Sequence, residues 1–199
     1  MSMGTAQARL LKGATVLVNQ RGLDELSMSE LAQALNVRTP TLYSHVAGID
    51  DLKRLLALHG LAELDGAIAR AAIGKAGPDA VRAVLNAYRE FVEKNPGLYA
   101  ATVPTPPRSD REWSAAVDRL MDTCLTCIQC YDLRGADKVH ALRGLRSLVH
   151  GFVSLESSGA LKHPVNRNDS FAWLVESFVA ALEKMASQSQ AKRKPGVRA

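Results

Sequence analysis

The segment from Leu23 to Val46 constrains the fold most, because it spells two short helices joined by three or four residues. Ser27-Met28-Ser29-Glu30 reads as a capping box, in which Ser27 accepts from the Glu30 amide and the Glu30 side chain reaches back. The helix it opens carries Leu31, Ala32 and Leu35 and stops at Asn36, a residue that tolerates positive φ better than most. Arg38 or Thr39 caps the next helix, and Pro40 falls in its first turn, where proline is harmless. Leu42 and Tyr43 complete it. Two short helices with a tight turn near Asn36-Val37 suit a helix-turn-helix.

The rest of the chain has no long alternating β-branched runs, and three-to-four spacing dominates, so the expected class is all-α. A first helix spans about residues 5–21, with Leu10, Leu11, Ala14, Leu17 and Val18 on one side and Gly22 at its left-handed cap. Gly48-Ile49-Asp50-Asp51 starts a fourth, longer helix, which breaks between Gly74 and Pro78. Further helices are expected at about 79–94, 110–132, 136–158 and 170–186. Asn95-Pro96-Gly97 ends one of them, Pro104-Thr105-Pro106-Pro107 forms a rigid loop, and Gly159 to Asn168 forms another. The predicted architecture is a three-helix head followed by a helical bundle, about nine helices in all. Its divisions are a head at 1–48, a connecting helix at 49–74, a body at 75–187 and a disordered basic tail at 188–199.

In a helix-turn-helix the second helix lies in the major groove with its N-terminal residues against base edges. Arg38 can fork onto guanine or pair with phosphate, and Thr39 can meet a base edge or a thymine methyl, with Pro40 between them and Thr41. Thr41, Tyr43 and His45 suit phosphate oxygens, which set register without reading sequence. The amides near Ser27 offer another phosphate seat, and Ser29 stands beside them. Charge alone does not lead to DNA. The net charge is +5, but Lys192, Arg193, Lys194 and Arg198 supply four of those charges. Residues 1–48 set Arg9, Lys12, Arg21 and Arg38 against Asp24, Glu25 and Glu30.

The run from Gly22 to Val46, with its Leu31-Ala32 pair and its Pro40-Thr41-Leu42-Tyr43-Ser44-His45-Val46 segment, resembles the signature of the TetR (tetracycline-repressor) family of regulators. The resemblance covers about residues 5–60. It implies a DNA-binding head, a helical ligand-binding body, homodimerisation and release from a DNA operator when a small-molecule effector binds. Asn36 stands where the family usually has glycine. Ile49 replaces a lysine that often meets a phosphate, and Ser29 a basic residue that can read a base. Farther on, Tyr88-x-x-Phe91, Asn95-Pro96-Gly97-Leu98-Tyr99 and Val149-His150-Gly151-Phe152 are similar to the family's WHG-type C-terminal domain, with valine in place of the tryptophan.

Within the body, Gly144, Ser147, Gly151, Ser154 and Ser158 form a stripe of small side chains, with Leu142, Leu145, Val149 and Phe152 roughly opposite. The last helix offers Phe171, Leu174, Val175, Phe178, Leu182 and Met185. Two such helices from each of two chains would make a four-helix seam; the alternative is that both faces fill one subunit's core. The candidate dimer residues are Gly144, Ser147, Gly151, Ser154, Phe171, Leu174, Phe178 and Leu182. Tyr88, Phe91, Tyr99, Trp113, Val117, Met121 and His150 are the candidates for an apolar effector pocket between helices. The same residues also read as ordinary core.

Cys124, Cys127 and Cys130 leave open a metal- or redox-responsive regulator. However, three thiolates on one straight helix converge poorly on a tetrahedral centre, and small buried residues are the better reading. No metal or cofactor is expected. No phosphate-binding glycine loop, nucleophile motif or HExxH spacing supports an enzyme. A helical interaction protein with weak DNA binding is the other alternative, kept open by the near-neutral head and Ile49. No apolar run approaches the ~20 residues of a membrane span, and neither a signal segment nor a disulfide framework is evident, so the expected compartment is the cytoplasm.

Overall fold

A computed structural model describes residues Thr5–Ala191. Among them the chain forms nine α-helices and no strand: α1 (Thr5–Arg21), α2 (Met28–Leu35), α3 (Thr39–Tyr43), α4 (Ile49–Ala72), α5 (Gly77–Lys94), α6 (Pro96–Thr102), α7 (Arg111–Cys127), α8 (Ala136–Ser157) and α9 (Arg167–Ala191). The class is therefore all-α, as the apolar periodicity predicts.

Four elements differ from their expected form. The segment after Asn95 is a helix, α6, where the sequence reads as a helix end followed by loop. The helix expected over 110–132 stops at Cys127, and a 3-10 turn over Gln129–Tyr131 follows before Asp132 adopts a left-handed φ of 47°. The loop after α8 is shorter than expected, because α9 starts at Arg167. α9 also continues to Ala191, so residues 188–191 of the expected tail are helical, while Lys192, Arg193, Lys194 and Arg198 lie outside the described residues.

The chain separates into two compact units that do not follow its linear order. One comprises Met1–Asp65 with Phe91–Leu120, the other Gly66–Glu90 with Met121–Ala199. A linear division at 48 and 74 misses this, because α6 and most of α7 belong with the head.

In the first unit, Leu10, Leu11, Ala14, Leu17 and Val18 of α1 are buried together with Leu31 and Ala32 of α2, Leu42 of α3, and Leu52, Leu56 and Leu61 of α4. A Cβ added at Gly13 would lie 2.5 Å from Leu35 Cδ2, which shows how closely α1 approaches α2. Arg54 of α4 forks onto Asp110, with Nη2 3.0 Å from Oδ1, and also reaches Glu112 at 2.6 Å. Asp110 Oδ1 in turn accepts the Trp113 amide at 3.0 Å and so caps α7. The Arg54 guanidinium holds the Asp110 carboxyl below the ordinary aspartate range.

In the second unit, Val81, Val84, Leu85 and Tyr88 of α5 join Leu145, Val149 and Phe152 of α8 and Phe171, Val175, Val179 and Leu182 of α9 in the core. Arg89 ties these helices together. Its guanidinium lies 5.1 Å from the Phe152 ring centroid and 4.8 Å from that of Phe171, and it bonds to Glu156 at 2.8 Å and Asn168 at 3.0 Å. Flanking the cation with ring faces and a carboxylate compensates its loss of water.

Candidate nucleic-acid interface

The corner between α2 and α3 is set by local chemistry. Ser27 is the N-cap of α2 and its Oγ accepts the Glu30 amide at 3.3 Å. The return half of the capping box is replaced. The Glu30 carboxylate takes the Ser27 hydroxyl at 3.0 Å and Arg21 at 2.8 Å, which tethers α1 to the start of α2. Asn36 closes α2 at φ 53°, ψ 49°, and the Asn36 and Val37 amides bond back to Gln33 and Ala32. A left-handed residue turns the chain sharply enough for α3 to begin at Thr39 with only Val37 and Arg38 between.

α3 buries Leu42 and exposes most of its other side chains. Arg38, Pro40, Thr41 and His45 are exposed, Thr39 is half-buried, and Tyr43 is 55% exposed. His45 belongs to the turn after α3 rather than to the helix, which ends at Tyr43. Ser29 is exposed and Ser27 half-buried at the start of α2. The eight candidates therefore line the outer side of one helical corner, and none is sealed in the core. An exposed aromatic ring on a five-residue helix is costly to leave in water unless another surface covers it.

Thr41 and His45 also border a concave groove of about 430 Å³ between α3 and α1, floored by Leu10, Leu35, Val37 and Leu42. Arg9 stands on its α1 side and donates to the Leu35 carbonyl at 3.3 Å. Sequence reasoning counted Arg9 only as charge. Its place beside Thr41 is a tertiary fact with no local signal.

The candidate pocket residues divide between the units. Phe91, Tyr99, Trp113 and Val117 belong to the first, and Tyr88, Met121 and His150 to the second. Tyr88, Phe91 and Tyr99 are buried, and Trp113, Val117 and Met121 are half-buried. His150 is exposed, on the side of α8 that also carries Ser147 and Ser154, because the inward position is taken by its neighbour Val149. Trp113 Nε1 lies out of solvent without an acceptor, and so does Asp65 Oδ1 in the same unit.

The candidate dimer residues also part company. Phe171 and Leu182 are 1% and 0% exposed within their own chain, so neither side chain is available to a second copy. Gly144 faces Phe178, with a built Cβ 2.9 Å from Cε2, so these two meet each other. Leu174 is half-buried, and Ser147 and Ser154 are exposed, while Gly151 has open space where a Cβ would stand. Trp173, which the α9 pattern did not single out, is 69% exposed beside Val165 at 56%. The apolar face of α9 is broad enough to hide which of its edges turns inward.

The cysteines do not share one straight helix. Cys124 is buried within α7, Cys127 ends it half-buried, and Cys130 is exposed in the 3-10 turn. Among the described residues no group of three or more His, Cys, Asp or Glu side chains is placed to hold a metal ion, and no helix is long and apolar enough to cross a membrane.

Residues 10–54 match the sequence profile described as bacterial regulatory proteins, tetR family, and residues 81–178 the profile of the tetracyclin repressor-like C-terminal domain. The chain is 29% identical over 183 residues to YobS, an uncharacterized HTH-type transcriptional regulator of Bacillus subtilis (strain 168), covering 90% of this chain and 94% of that one. Among solved structures, a protein with unknown function from Rhodococcus sp. RHA1 superposes with a TM-score of 0.77 at 21% identity, covering 91% and 97% of the two chains. A TetR variant from Acinetobacter baumannii AYE in complex with minocycline gives 0.61 at 19% identity, covering 97% of each chain.

Proposed function

The chain belongs to the TetR family of bacterial transcriptional regulators, and from that premise we propose that it is a repressor that binds a palindromic operator as a homodimer and leaves it when a small, largely apolar effector binds. It acts as a regulator rather than an enzyme, and it works in the cytoplasm beside the DNA it reads. The observation that carries the reading is the outward presentation of Arg38, Thr39, Pro40, Thr41 and Tyr43 on a short helix whose only buried side chain is Leu42.

Arg38 and Thr39 address base edges. Ser27, Ser29, Thr41, Tyr43 and His45 take phosphates, and Arg9 joins them from α1. Half-sites about 34 Å apart require two α3 helices at matching separation. The outward side of α8 and α9, with Ser147, Gly151, Ser154, Leu174 and Trp173, supplies the seam. The unpartnered indole N–H of Trp113 and the unpartnered oxygen of Asp65 favour an effector whose apolar body carries a few hydrogen-bonding groups, because a buried polar atom without a partner costs about 1–3 kcal/mol. An effector lowers operator affinity by its preference for a different α3 spacing.

Selection from a random double-stranded DNA library, followed by fluorescence anisotropy on the enriched sequence, tests this. A two-half-site sequence is expected, with Arg38→Ala weakening it by about 1–3 kcal/mol and relaxing preference at one base pair. Failure to enrich any sequence at moderate salt would refute the reading.

A further inference from the structure

α6 touches both helices that bracket the recognition corner. On one side its N-terminal turn meets the end of α1. A Cβ built at Gly97 would lie 1.9 Å from the Val18 carbonyl oxygen and 2.8 Å from the Asn19 amide nitrogen, so backbone rests on backbone. Asn95, the N-cap of α6, makes no side-chain cap bond of its own. The cap comes from α1 instead: Asn19 Oδ1 accepts the Leu98 amide at 2.9 Å, and Asn19 Nδ2 donates to Asn95 Oδ1 at 3.3 Å. On the other side α6 meets α4, where a Cβ built at Gly60 would lie 2.7 Å from Thr102 Cγ2 and 3.0 Å from the Leu98 carbonyl oxygen. α1, α4 and α6 all fall within the same compact unit.

The chain enters the recognition corner from α1 and leaves it into α4, so a helix keyed to both fixes the corner at its two ends. We propose that α6 positions the recognition helix, with Asn19, Gly60 and Gly97 as positioning residues that never touch DNA. The inference rests on the DNA-binding reading above. Glycine at 60 and 97 lets helix backbones approach without an intervening methyl, and the contact is stiff because packed backbones have no rotamers through which to relax. Asn19 adds direction, because its amide bonds register α1 against the first turn of α6. In a dimer, the separation of two α3 helices is fixed only as firmly as each is fixed to its own chain.

The test uses three DNA probes: the operator enriched by the unmodified protein, the same operator with one half-site scrambled, and the operator with its spacer changed by one base pair. Asn19→Ala leaves the Leu98 amide without its acceptor, whereas Asn19→Asp keeps the acceptor and adds a charge suited to a helix N-terminus. Asn19→Ala is expected to lose about tenfold affinity for the intact operator, to keep its affinity for the scrambled probe and to discriminate less against the altered spacer. Asn19→Asp should restore most of the loss. Equal losses on intact and scrambled probes would mark Asn19 as merely structural and overturn the proposal. Unchanged binding to all three probes would overturn it too. If the unmodified protein enriches no operator, it is the DNA-binding reading that fails instead. Gly60→Ala serves as an independent variant, with the same ordering of effects expected across the probes.

Discussion

The corner at Asn36 and the turn into α6 at Asn95 are both sharp changes of direction, yet they are built from different physics. At Asn36 the chain turns because of what the local residues are. A capped helix runs out at a residue comfortable at positive φ, and a proline starts the next helix. At Asn95 the chain turns because of what lies across from it. The cap is lent by Asn19 of another helix, and the glycine is required by the Val18 carbonyl rather than by an unusual φ. The first turn is self-sufficient, and the second exists only in the assembled unit.

The largest effect expected from this contrast is at Gly97. A methyl group 1.9 Å from a carbonyl oxygen cannot be accommodated without moving α6 off α1. Gly97→Ala should therefore cost about 3 kcal/mol, at the upper end of ordinary overpacking. Urea denaturation followed by Trp fluorescence measures it. A loss below about 0.5 kcal/mol would mean that the approach of α6 to α1 is looser than described, and the contrast between the turns would disappear.

The same contrast explains what was legible in the sequence. α1, α2 and α3 were readable because each carries its own stop signals: Gly22 at φ 96°, Asn36 at φ 53°, and Pro40 in a first turn. α6 was not, because Asn-Pro-Gly read locally is a terminator, and seven residues are too few for a periodicity to declare itself. Pro96 sits at the first position of α6, where its missing N–H is immaterial, so one residue ends α5 on paper and begins α6 in space. The DNA-facing candidates share the legibility of the corner. Arg9, Trp173 and the inward turn of Phe171 and Leu182 do not, because each depends on which side of a helix meets a neighbour far away in the sequence.

A second prediction separates steric keying from electrostatic clamping. α4 is held to α6 by close backbone approach and to the start of α7 by Arg54 on Asp110, and only the second tie titrates. Because Arg54 depresses the Asp110 carboxyl in the folded state, the clamp's contribution is complete above the ordinary value of 3.8 and is lost as pH falls through the lower folded value. Asp110→Asn should therefore destabilise the protein at neutral pH by less than Gly97→Ala does, because the Arg54 and Glu112 side chains of the clamp are 29% and 69% exposed and water screens them. The gap between variant and parent should close on acidification below that range. A gap independent of pH would assign the clamp's role to packing.

The smallest effect is expected at the other turn, and it completes the comparison. Asn36 already holds φ 53°, ψ 49°, a region where glycine is unstrained and asparagine is among the few other residues at ease. Asn36→Gly relieves the residual Cβ strain of the folded turn but frees more backbone entropy in the unfolded chain, and the two oppose each other. Stability should change by less than about 0.5 kcal/mol, and affinity for the enriched operator should hold within about twofold, because Asn36 points no bond at α3. Asn36→Ala has no such compensation and should cost about 1 kcal/mol. If Asn36→Gly instead lowers operator affinity tenfold with stability intact, the asparagine side chain itself would be contacting DNA. The corner would then be part of the reading surface rather than only its support.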